Sequence, residues 1–303
     1  MTGIIVKIVG SDCFVRCDDG RLVVCKVRGN FRIKGIKSTN PVAVGDRVDF
    51  DEVGLITHLH DRKNYIVRKP TNLSKQLHII AANIDQAVLV VTLRKPETST
   101  IFIDRFLATA EAYGVPTILV FNKIDLLDEK DRAALDDLCR MYKKIGYRCV
   151  RMVAETGENL QELQSLLLGK TTLLSGNSGV GKSTLINRLL PNAEAKTAAI
   201  SEAHLTGMHT TTFSEMYETA PSTFVIDTPG LKGFGMVNMK ADEVGHYFPE
   251  IFEASHRCRY NNCSHTHEPG CAVIEAVEQG EIAMSRFVSY NSILEDFDEE
   301  KYR

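Results

Sequence analysis

The sequence predicts an α/β protein with a doubly wound parallel sheet, preceded by an all-β barrel and followed by a helical segment. Three observations predict it. Residues 1–67 contain short β-rich runs separated by turn signals. Residues 84–176 alternate buried-strand runs with helical periodicity, as in sheets covered by helices on both faces. From about residue 242 the pattern is helical, interrupted by a cluster of cysteine and histidine.

Composition is that of a globular protein, with 44% hydrophobic and 25% charged residues among 303. No apolar run reaches membrane-spanning length, and the start "MTGIIVKIVGSD" lacks the features of a signal peptide. We therefore expect a cytoplasmic protein without a membrane partner. We also expect a monomer. The net charge of −3 argues against a general polyanion binder, but residues 1–75 alone carry +6. A local polyanion contact and an ordinary solvated surface explain this equally well.

The N-terminal runs "GIIVKIVG", "CFVRC", "RLVVCKV" and "RVDFDEV" have the spacing of a small barrel. An OB-fold is one such barrel and often binds nucleic acid, but a barrel used only for packing fits the pattern equally. The basic stretch 60–78 is interpreted as a linker. The predicted domains are residues 1–68 for the barrel, 69–236 for the α/β domain and 237–303 for the helical, zinc-binding domain.

A phosphate-binding loop follows the predicted strand "TTLLSG" and opens a predicted helix. Its pattern is G-x-x-x-x-G-K-[ST]. Backbone N–H groups and the helix N-terminus would hold phosphate, Lys182 would reach the β- and γ-phosphates, and the Ser183 hydroxyl would ligate Mg²⁺. The predicted nucleotide contacts are Gly176, Asn177, Ser178, Gly179, Val180, Gly181, Lys182, Ser183 and Thr184.

A second phosphate-sensing element is "DTPG" at the end of the strand "STFVID". Asp227 can hold Mg²⁺ through water, and the Gly230 N–H can sense the γ-phosphate. Between the two elements lies "GMHTTT", whose threonines Thr210, Thr211 and Thr212 compete to close over Mg²⁺, with Thr211 slightly favoured. Segments around these motifs would be the two switch loops.

The residue after "DTPG" is Leu231, which cannot orient an attacking water as glutamine does in many GTPases. We therefore expect slow intrinsic hydrolysis that needs another residue or a partner. His209 beside the switch threonines is the in-chain candidate for positioning this water or acting as base. An exposed histidine without that role is nearly as good a reading.

A guanine reader, Asn122-Lys123-x-Asp125, follows the buried strand "VPTILVF". The Asp125 carboxylate can accept from guanine N1–H and its exocyclic amine, donors that adenine does not offer in that arrangement. Asn122 and Lys123 would brace the base and the phosphate loop. In "VAETGEN", the Ala154 N–H is expected near guanine O6.

The reader precedes the phosphate loop, the reverse of the common GTPase order. Ligands of a parallel sheet bind at the carboxyl ends of the strands, so site geometry depends on neighbouring strand ends and not on chain order. Joining the old ends and cutting after the phosphate-sensing half produces the order seen here. The sequence therefore predicts a circularly permuted GTPase whose second switch leads directly into the C-terminal segment.

The C-terminal cluster "CRYNNCSHTHEPGC" has the spacing C-x4-C-x-H-x5-C. Three thiolates and one imidazole form a closed tetrahedral set suited to one structural Zn²⁺. The predicted ligands are Cys258, Cys263, His265 and Cys271, with His256 and His267 as rivals. The remaining cysteines are predicted to be core or strand thiols: Cys13, Cys17, Cys25, Cys139 and Cys149.

Together these blocks resemble the ribosome-small-subunit-dependent GTPase A family, the RsgA/YjeQ group of circularly permuted GTPases. The resemblance covers almost the whole chain through "PVAVGDRVDF", "AANIDQAVLV", "FNKIDLL", "GNSGVGKSTLIN", "GMHTTT", "DTPGLKGFG" and "CSHTHEPGCAV". It implies a late factor in small-subunit assembly, with barrel and zinc domain holding ribosomal RNA and the subunit stimulating hydrolysis.

Two other functions stay open at this point. One is a nucleic-acid-binding module whose nucleotide site is a switch with negligible turnover, which Leu231 permits. The other is an ATP-dependent enzyme with the same phosphate loop, against which Asp125 argues.

Overall fold

The computed structural model of the protein describes residues 1–27, 41–68, 78–190, 214–228 and 239–301. The strands of these residues are β1 Thr2–Val9, β2 Asp12–Cys17, β3 Leu22–Val27, β4 Arg47–Phe50, β5 Leu55–Leu59, β6 Tyr65–Arg68, β7 His78–Ala82, β8 Gln86–Val91, β9 Thr117–Phe121, β10 Arg148–Arg151, β11 Thr171–Ser175, β12 Glu215–Ala220 and β13 Thr223–Asp227. The α-helices are α1 Thr100–Ala112, α2 Glu129–Ile145, α3 Leu160–Leu167, α4 Lys182–Leu189, α5 Pro249–Ser255, α6 Ala272–Glu278 and α7 Met284–Lys301. Short 3₁₀ helices cover Ile124–Leu126 and Ala241–Tyr247.

The central sheet has the strand order β10-β9-β8-β11-β13-β12. Its first five strands run parallel, so their carboxyl ends lie along one edge. Every residue of β8 and β9 is buried, as expected for strands with helices over both faces. The predicted doubly wound sheet is confirmed, with one difference: β12 runs antiparallel to β13 at its end.

Two helices cover each face of this sheet. Ile103 and Phe106 of α1 pack with Leu135 of α2 on one face, in a core that includes Leu89 and Leu119. The other face buries the apolar side chains of α3 and α4 against alternate residues of the same strands. The termini of α2 follow from its sequence, since the Asp128 side chain accepts from the Asp131 N–H and Gly146 (φ +120°) ends the helix.

The N-terminal strands close a five-stranded barrel. Strand β1 pairs with β2 and β4, β2 with β3, β3 with β5 in parallel, and β5 with β4. Alternate residues point inward, with Ile5, Val15 and Phe50 buried in the barrel core. The predicted OB-like barrel is confirmed.

The barrel joins the central sheet through edge pairing. Lys7 of β1 lies opposite Glu215 of β12, and their charged groups are 3.4 Å apart. The barrel also contacts β7, since a Cβ on Gly45 (φ +93°) would lie 2.1 Å from the Ala82 carbonyl oxygen. The chain before β4 and strand β7 are therefore packed without space for a side chain at this point.

The stretch interpreted as a linker contains a strand. Residues Tyr65–Arg68 form β6, which pairs antiparallel with β7 in a separate two-stranded sheet. Ile66 is fully buried in the core beneath the main sheet. The prediction of a linker was therefore wrong for these residues.

The C-terminal helices pack on α1. Val244, Phe248 and Ile251 share a core with Ala108 of α1 and with residues of α6 and α7. At the centre of the interface, the buried Arg286 guanidinium contacts Asp104 of α1 at 2.8 Å and Glu250 of α5 at 2.6 Å. The five cysteines predicted to be core thiols are all buried, which confirms that prediction. Among the described residues, no helix has both the length and the apolar character needed to cross a bilayer.

Candidate nucleotide site and metal centre

The phosphate-binding loop connects β11 to α4 at the carboxyl edge of the sheet. Gly176 has φ +146°, and a Cβ there would lie 2.3 Å from the Val90 carbonyl oxygen. Gly181 has φ +102°, and its Cβ would lie 2.3 Å from Asn122 Nδ2. Both positions require glycine, because each has a positive φ and lies close to a neighbouring group: the β8 backbone at Gly176 and the Asn122 side chain at Gly181.

Lys182 begins α4 and folds back over the loop. Its Nζ donates to the carbonyl oxygens of Gly176 at 2.7 Å and Asn177 at 2.9 Å. Burial lowers the pKa of Lys182, and the charge of Asp227 partly offsets this. The Lys182 ammonium is thus fixed by two backbone carbonyl groups of the phosphate-binding loop. Ser183 and Thr184 are exposed on the first turn of α4.

Asn122 connects the guanine reader to the two neighbouring loops. It is almost fully buried, its Nδ2 donates to the Val180 carbonyl at 2.8 Å, and its Oδ1 accepts from the Ala154 N–H at 2.8 Å. The second hydrogen bond engages the N–H that the sequence assigned to guanine O6. In the structure, Ala154 therefore supports the reader through Asn122.

Lys123 and Asp125 follow with different exposure. Lys123 adopts a left-handed conformation (φ +60°), and its Nζ donates to the carbonyl oxygens of Gly179 at 2.7 Å and Lys95 at 2.6 Å. Asp125 lies in the 3₁₀ helix with its carboxylate exposed to solvent. The exposed Asp125 carboxylate is therefore accessible to a ligand, and Lys123 beside it is hydrogen-bonded to the phosphate loop.

Asp227 ends β13 beside the phosphate loop. It is paired in register with Leu174 of β11 and is nearly buried. The next residue, Thr228, donates through Oγ1 to the Leu174 carbonyl at 2.9 Å, which fixes the strand end. The structure therefore brings together the phosphate loop, the reader, the supporting loop and Asp227. The predicted residues His209, Thr211 and Gly230 lie outside the described residues, as do Thr210, Thr212 and Leu231.

The Cys₃His cluster has the geometry of a zinc site. The ligand atoms of Cys258, Cys263, His265 and Cys271 all lie within 4.8 Å of one another. Cys258 Sγ is 3.9 Å from Cys271 Sγ, and His265 Nδ1 is 3.6 Å from Cys258 Sγ and 3.4 Å from Cys271 Sγ.

A tetrahedral zinc ion fits these separations. With Zn–S of about 2.3 Å and Zn–N of about 2.0–2.1 Å, ligand sulfurs lie about 3.8 Å apart and sulfur and nitrogen about 3.6 Å apart. Burial lowers the pKa of His265, which favours the neutral imidazole that binds metal. The rivals His256 and His267 do not belong to the cluster.

Glu268 fixes the metal loop, and sequence reasoning missed it. Its Oε1 accepts from the Ser264 N–H and hydroxyl, each at 2.6 Å, and its Oε2 accepts from the backbone N–H groups of Thr266 and His267. Although burial opposes the charged form, these hydrogen bonds hold the pKa of Glu268 well below its usual range. A carboxylate three residues after the predicted histidine ligand was the available signal.

The sheet order, the phosphate loop and the reader joined in this sequence define a circularly permuted P-loop GTPase. Residues 59–237 match the model of the RsgA GTPase, and residues 2–54 match the RsgA N-terminal domain. The chain belongs to the RsgA GTPase family, and it is an enzyme that hydrolyses GTP.

Relatives extend the similarity over the whole chain. A protein of Porphyromonas gingivalis named small ribosomal subunit biogenesis GTPase RsgA is 57% identical over 100% of this chain and 99% of its own. The protein of the same name from Bacteroides fragilis is 56% identical over the same shares. Among solved structures, YjeQ from Thermotoga maritima superposes with a TM-score of 0.77 at 35% identity, covering 98% of each chain. YloQ, described as a circularly permuted GTPase, has a TM-score of 0.74 at 29% identity and covers 100% of this chain and 96% of its own.

Proposed function

We propose that this GTPase is a late assembly and maturation factor of the small ribosomal subunit. Support comes from the names of relatives more than 50% identical over the whole chain. In this proposal, the barrel of domain 1–68 and the zinc-binding domain 237–303 bind ribosomal RNA, and the subunit stimulates hydrolysis by domain 69–236. The net charge of +6 over residues 1–75 suits a contact with phosphate groups. The protein would act as a monomer in the cytoplasm, where ribosomes are made.

The position of Asn122 is the observation that carries the nucleotide site. Its amide holds the supporting loop and the phosphate loop at the same time, which supports a single ligand site between Asp125 and the amides of the phosphate loop. We propose that Asp125 selects guanine, that Asn122, Lys123 and Ala154 support it, and that the glycines Gly176, Gly179 and Gly181 let backbone N–H groups approach the phosphates.

Binding of GTP would change the partners of Lys182. Phosphate oxygens would replace the carbonyl oxygens of Gly176 and Asn177 as acceptors of its ammonium. The negative charge of the polyphosphate would also raise the pKa of Lys182, which burial lowers. Ser183, Thr211 and Asp227 would hold Mg²⁺, which neutralises phosphate charge when bound with GTP. Gly230 would contact the γ-phosphate, and His209 would position the attacking water.

The Cys₃His cluster would hold one structural Zn²⁺. All four protein ligands are present, which leaves no coordination position for substrate. The metal would therefore contribute to folding of the C-terminal domain and not to hydrolysis.

Steady-state GTP hydrolysis tests the proposal, measured with the protein alone, with purified small ribosomal subunits and with large subunits as the control. We expect strong stimulation by small subunits only. Tight GTP binding with no response to either subunit would remove the ribosomal partner and leave the GTPase. An Asp125→Asn variant should move base preference from GTP toward xanthosine triphosphate, and an unchanged preference would contradict the role of Asp125.

A further inference from the structure

The segment Thr92–Thr98, between β8 and α1, forms a closed turn beside the phosphate loop. The Thr98 N–H donates to the Thr92 carbonyl at 2.8 Å, and the Thr92 N–H donates to Thr98 Oγ1 at 3.2 Å. The turn carries none of the motifs that predict nucleotide binding. Its position, at the carboxyl end of a central strand, is where ligands of such sheets bind.

Two contacts join this turn to the nucleotide site. The Lys95 carbonyl accepts from Lys123 Nζ at 2.6 Å, so it shares that ammonium with Gly179 of the phosphate loop. The Pro96 ring lies over the same glycine, since its Cδ is 3.5 Å from the position of a Cβ on Gly179. Lys95 is held at φ +50°, a conformation that a non-glycine residue keeps only when its surroundings stabilise it.

Arg94 supplies a fixed point for the turn. Its Nε and Nη2 donate to the two carboxylate oxygens of Asp131 at 2.7 and 2.8 Å, a bidentate arrangement on the first turn of α2. The Asp131 side chain is 14% exposed, whereas that of Arg94 is 53% exposed. Hydrogen bonding to Arg94 holds the pKa of the Asp131 carboxyl below its ordinary value. Arg94, which directly precedes Lys95, is thereby fixed to helix α2.

We propose that Arg94 is a positioning residue for guanine nucleotide binding: its contact with Asp131 fixes the turn Thr92–Thr98, whose Lys95 carbonyl fixes the ammonium of Lys123. The inference rests on the proposed nucleotide site and adds to it the turn Thr92–Thr98, which none of the sequence motifs includes. Because Arg94 acts through Lys123, its loss weakens nucleotide binding and leaves the chemical step unchanged.

The competing interpretation is an ordinary surface ion pair, and the chain offers a matched control. Arg140 contacts Asp137 at 2.7 Å on the same helix α2, with both side chains more than 70% exposed. Arg140→Ala removes an exposed arginine–aspartate pair of the same helix which, among the described residues, contacts neither the turn Thr92–Thr98 nor the phosphate loop. A general effect of surface charge on α2 would appear in both variants.

The experiment measures the affinity of the full chain for fluorescently labelled GDP, together with KM and kcat for GTP. The variants are Arg94→Ala, Asp131→Ala, their combination and Arg140→Ala. We expect each of the first two to weaken GDP binding about threefold to tenfold and to raise KM equally, with kcat within about twofold of the unchanged chain. The double variant should bind no more weakly than either single variant, since both remove the same contact. Arg140→Ala should bind like the unchanged chain.

Two results would overturn the inference. One is an affinity of Arg94→Ala equal to that of Arg140→Ala. The other is a double variant whose loss is the product of the single losses, which would show that the two residues act independently. A failure of the unchanged chain to bind labelled GDP would instead refute the nucleotide site itself, and the inference with it.

Discussion

Removing the buried guanidinium between the GTPase domain and the C-terminal helices should strongly destabilise the protein. Arg286 of α7 is fully buried, and its partners Asp104 and Glu250 lie on two other helices. Its guanidinium carbon also lies 4.5 Å from the centre of the Phe248 ring. Arg286→Met keeps an unbranched apolar stem and removes the charged guanidinium, so that two carboxylates lose their cation at once.

The size of the effect follows from what remains. Asp104 is fully buried, and after the substitution its remaining polar partners are two hydroxyl groups: that of Tyr142, which donates to Oδ1 at 2.8 Å, and that of Ser289. Neutral hydroxyl groups do not replace a buried cation, and breaking a buried ion pair from one side costs about 3–5 kcal/mol. Arg105→Met is the matched control, because Arg105 also joins α1 to α7, through Asp296 and Ser292, but at the surface. We expect it to cost less than about 1 kcal/mol.

Stability should be measured by urea unfolding of the full chain, followed by far-UV circular dichroism because the chain has no tryptophan. The difference between Arg286→Met and the unchanged chain should shrink as pH falls. Burial already raises the pKa of Asp104 above its ordinary value, against the lowering effect of Arg286. Without Arg286, the pKa of Asp104 in the folded state rises further. Below the unfolded-state pKa, about 3.9, Asp104 is protonated in both states, and its burial then costs the variant no stability from ionisation. As pH rises from there toward the folded-state pKa, the loss of stability grows. A loss no larger than that of Arg105→Met, or one independent of pH, would refute the reasoning.

Two further outcomes are expected. Gly181→Ala should weaken nucleotide binding at least about tenfold in a titration with labelled GDP. Residue 181 has a positive φ, which disfavours alanine, and the added Cβ would collide with the Asn122 side chain. Gly169→Ala, at φ +70° with open space around it, should bind normally, and equal losses would refute the steric explanation. Cys271→Ser should reduce zinc from about one equivalent to near zero by elemental analysis. Cys139→Ala should keep its zinc, and full zinc in Cys271→Ser would show that Cys271 is not a ligand.

The parallel strands were predictable because local sequence specifies them. Strands β8 and β9 are continuous apolar runs, and each is followed by a helical pattern with its own caps. Strands β12 and β6 could not be found in this way. The sequence of β12, "EMYETA", mixes charged and apolar residues and has no clear strand pattern. This strand is instead defined by its pairing with β13 and, at a distance in the chain, with β1. Strand β6 has four residues within a basic stretch and forms through its pairing with β7.

The same division holds in the candidate site. Sequence motifs name Asn122, Lys123 and Asp125, because each residue type serves a fixed chemical purpose at a fixed spacing. They do not name Lys95, whose part in the site is a backbone carbonyl and is independent of its side chain. The hydrogen bond from the Ala154 N–H to Asn122 Oδ1, at 2.8 Å, likewise could not be read from the sequence, because it depends on the position of two separate loops.

The permuted order has a physical consequence for the C-terminal domain. In this chain, ten residues separate Thr228, which is fixed to the phosphate-loop strand, from the segment that packs on α1. Helix α1 itself follows the turn that contacts Lys123 and Gly179. The C-terminal domain is thus joined to the nucleotide site twice, by the chain after β13 and by packing against α1 around Arg286 and Asp104. Loosening the second connection by Arg286→Met while leaving the first intact would separate the two routes. If the proposed stimulation by the small subunit depends on packing against α1, this variant should keep its affinity for GTP but lose that stimulation, whereas full stimulation would show that packing on α1 is not required.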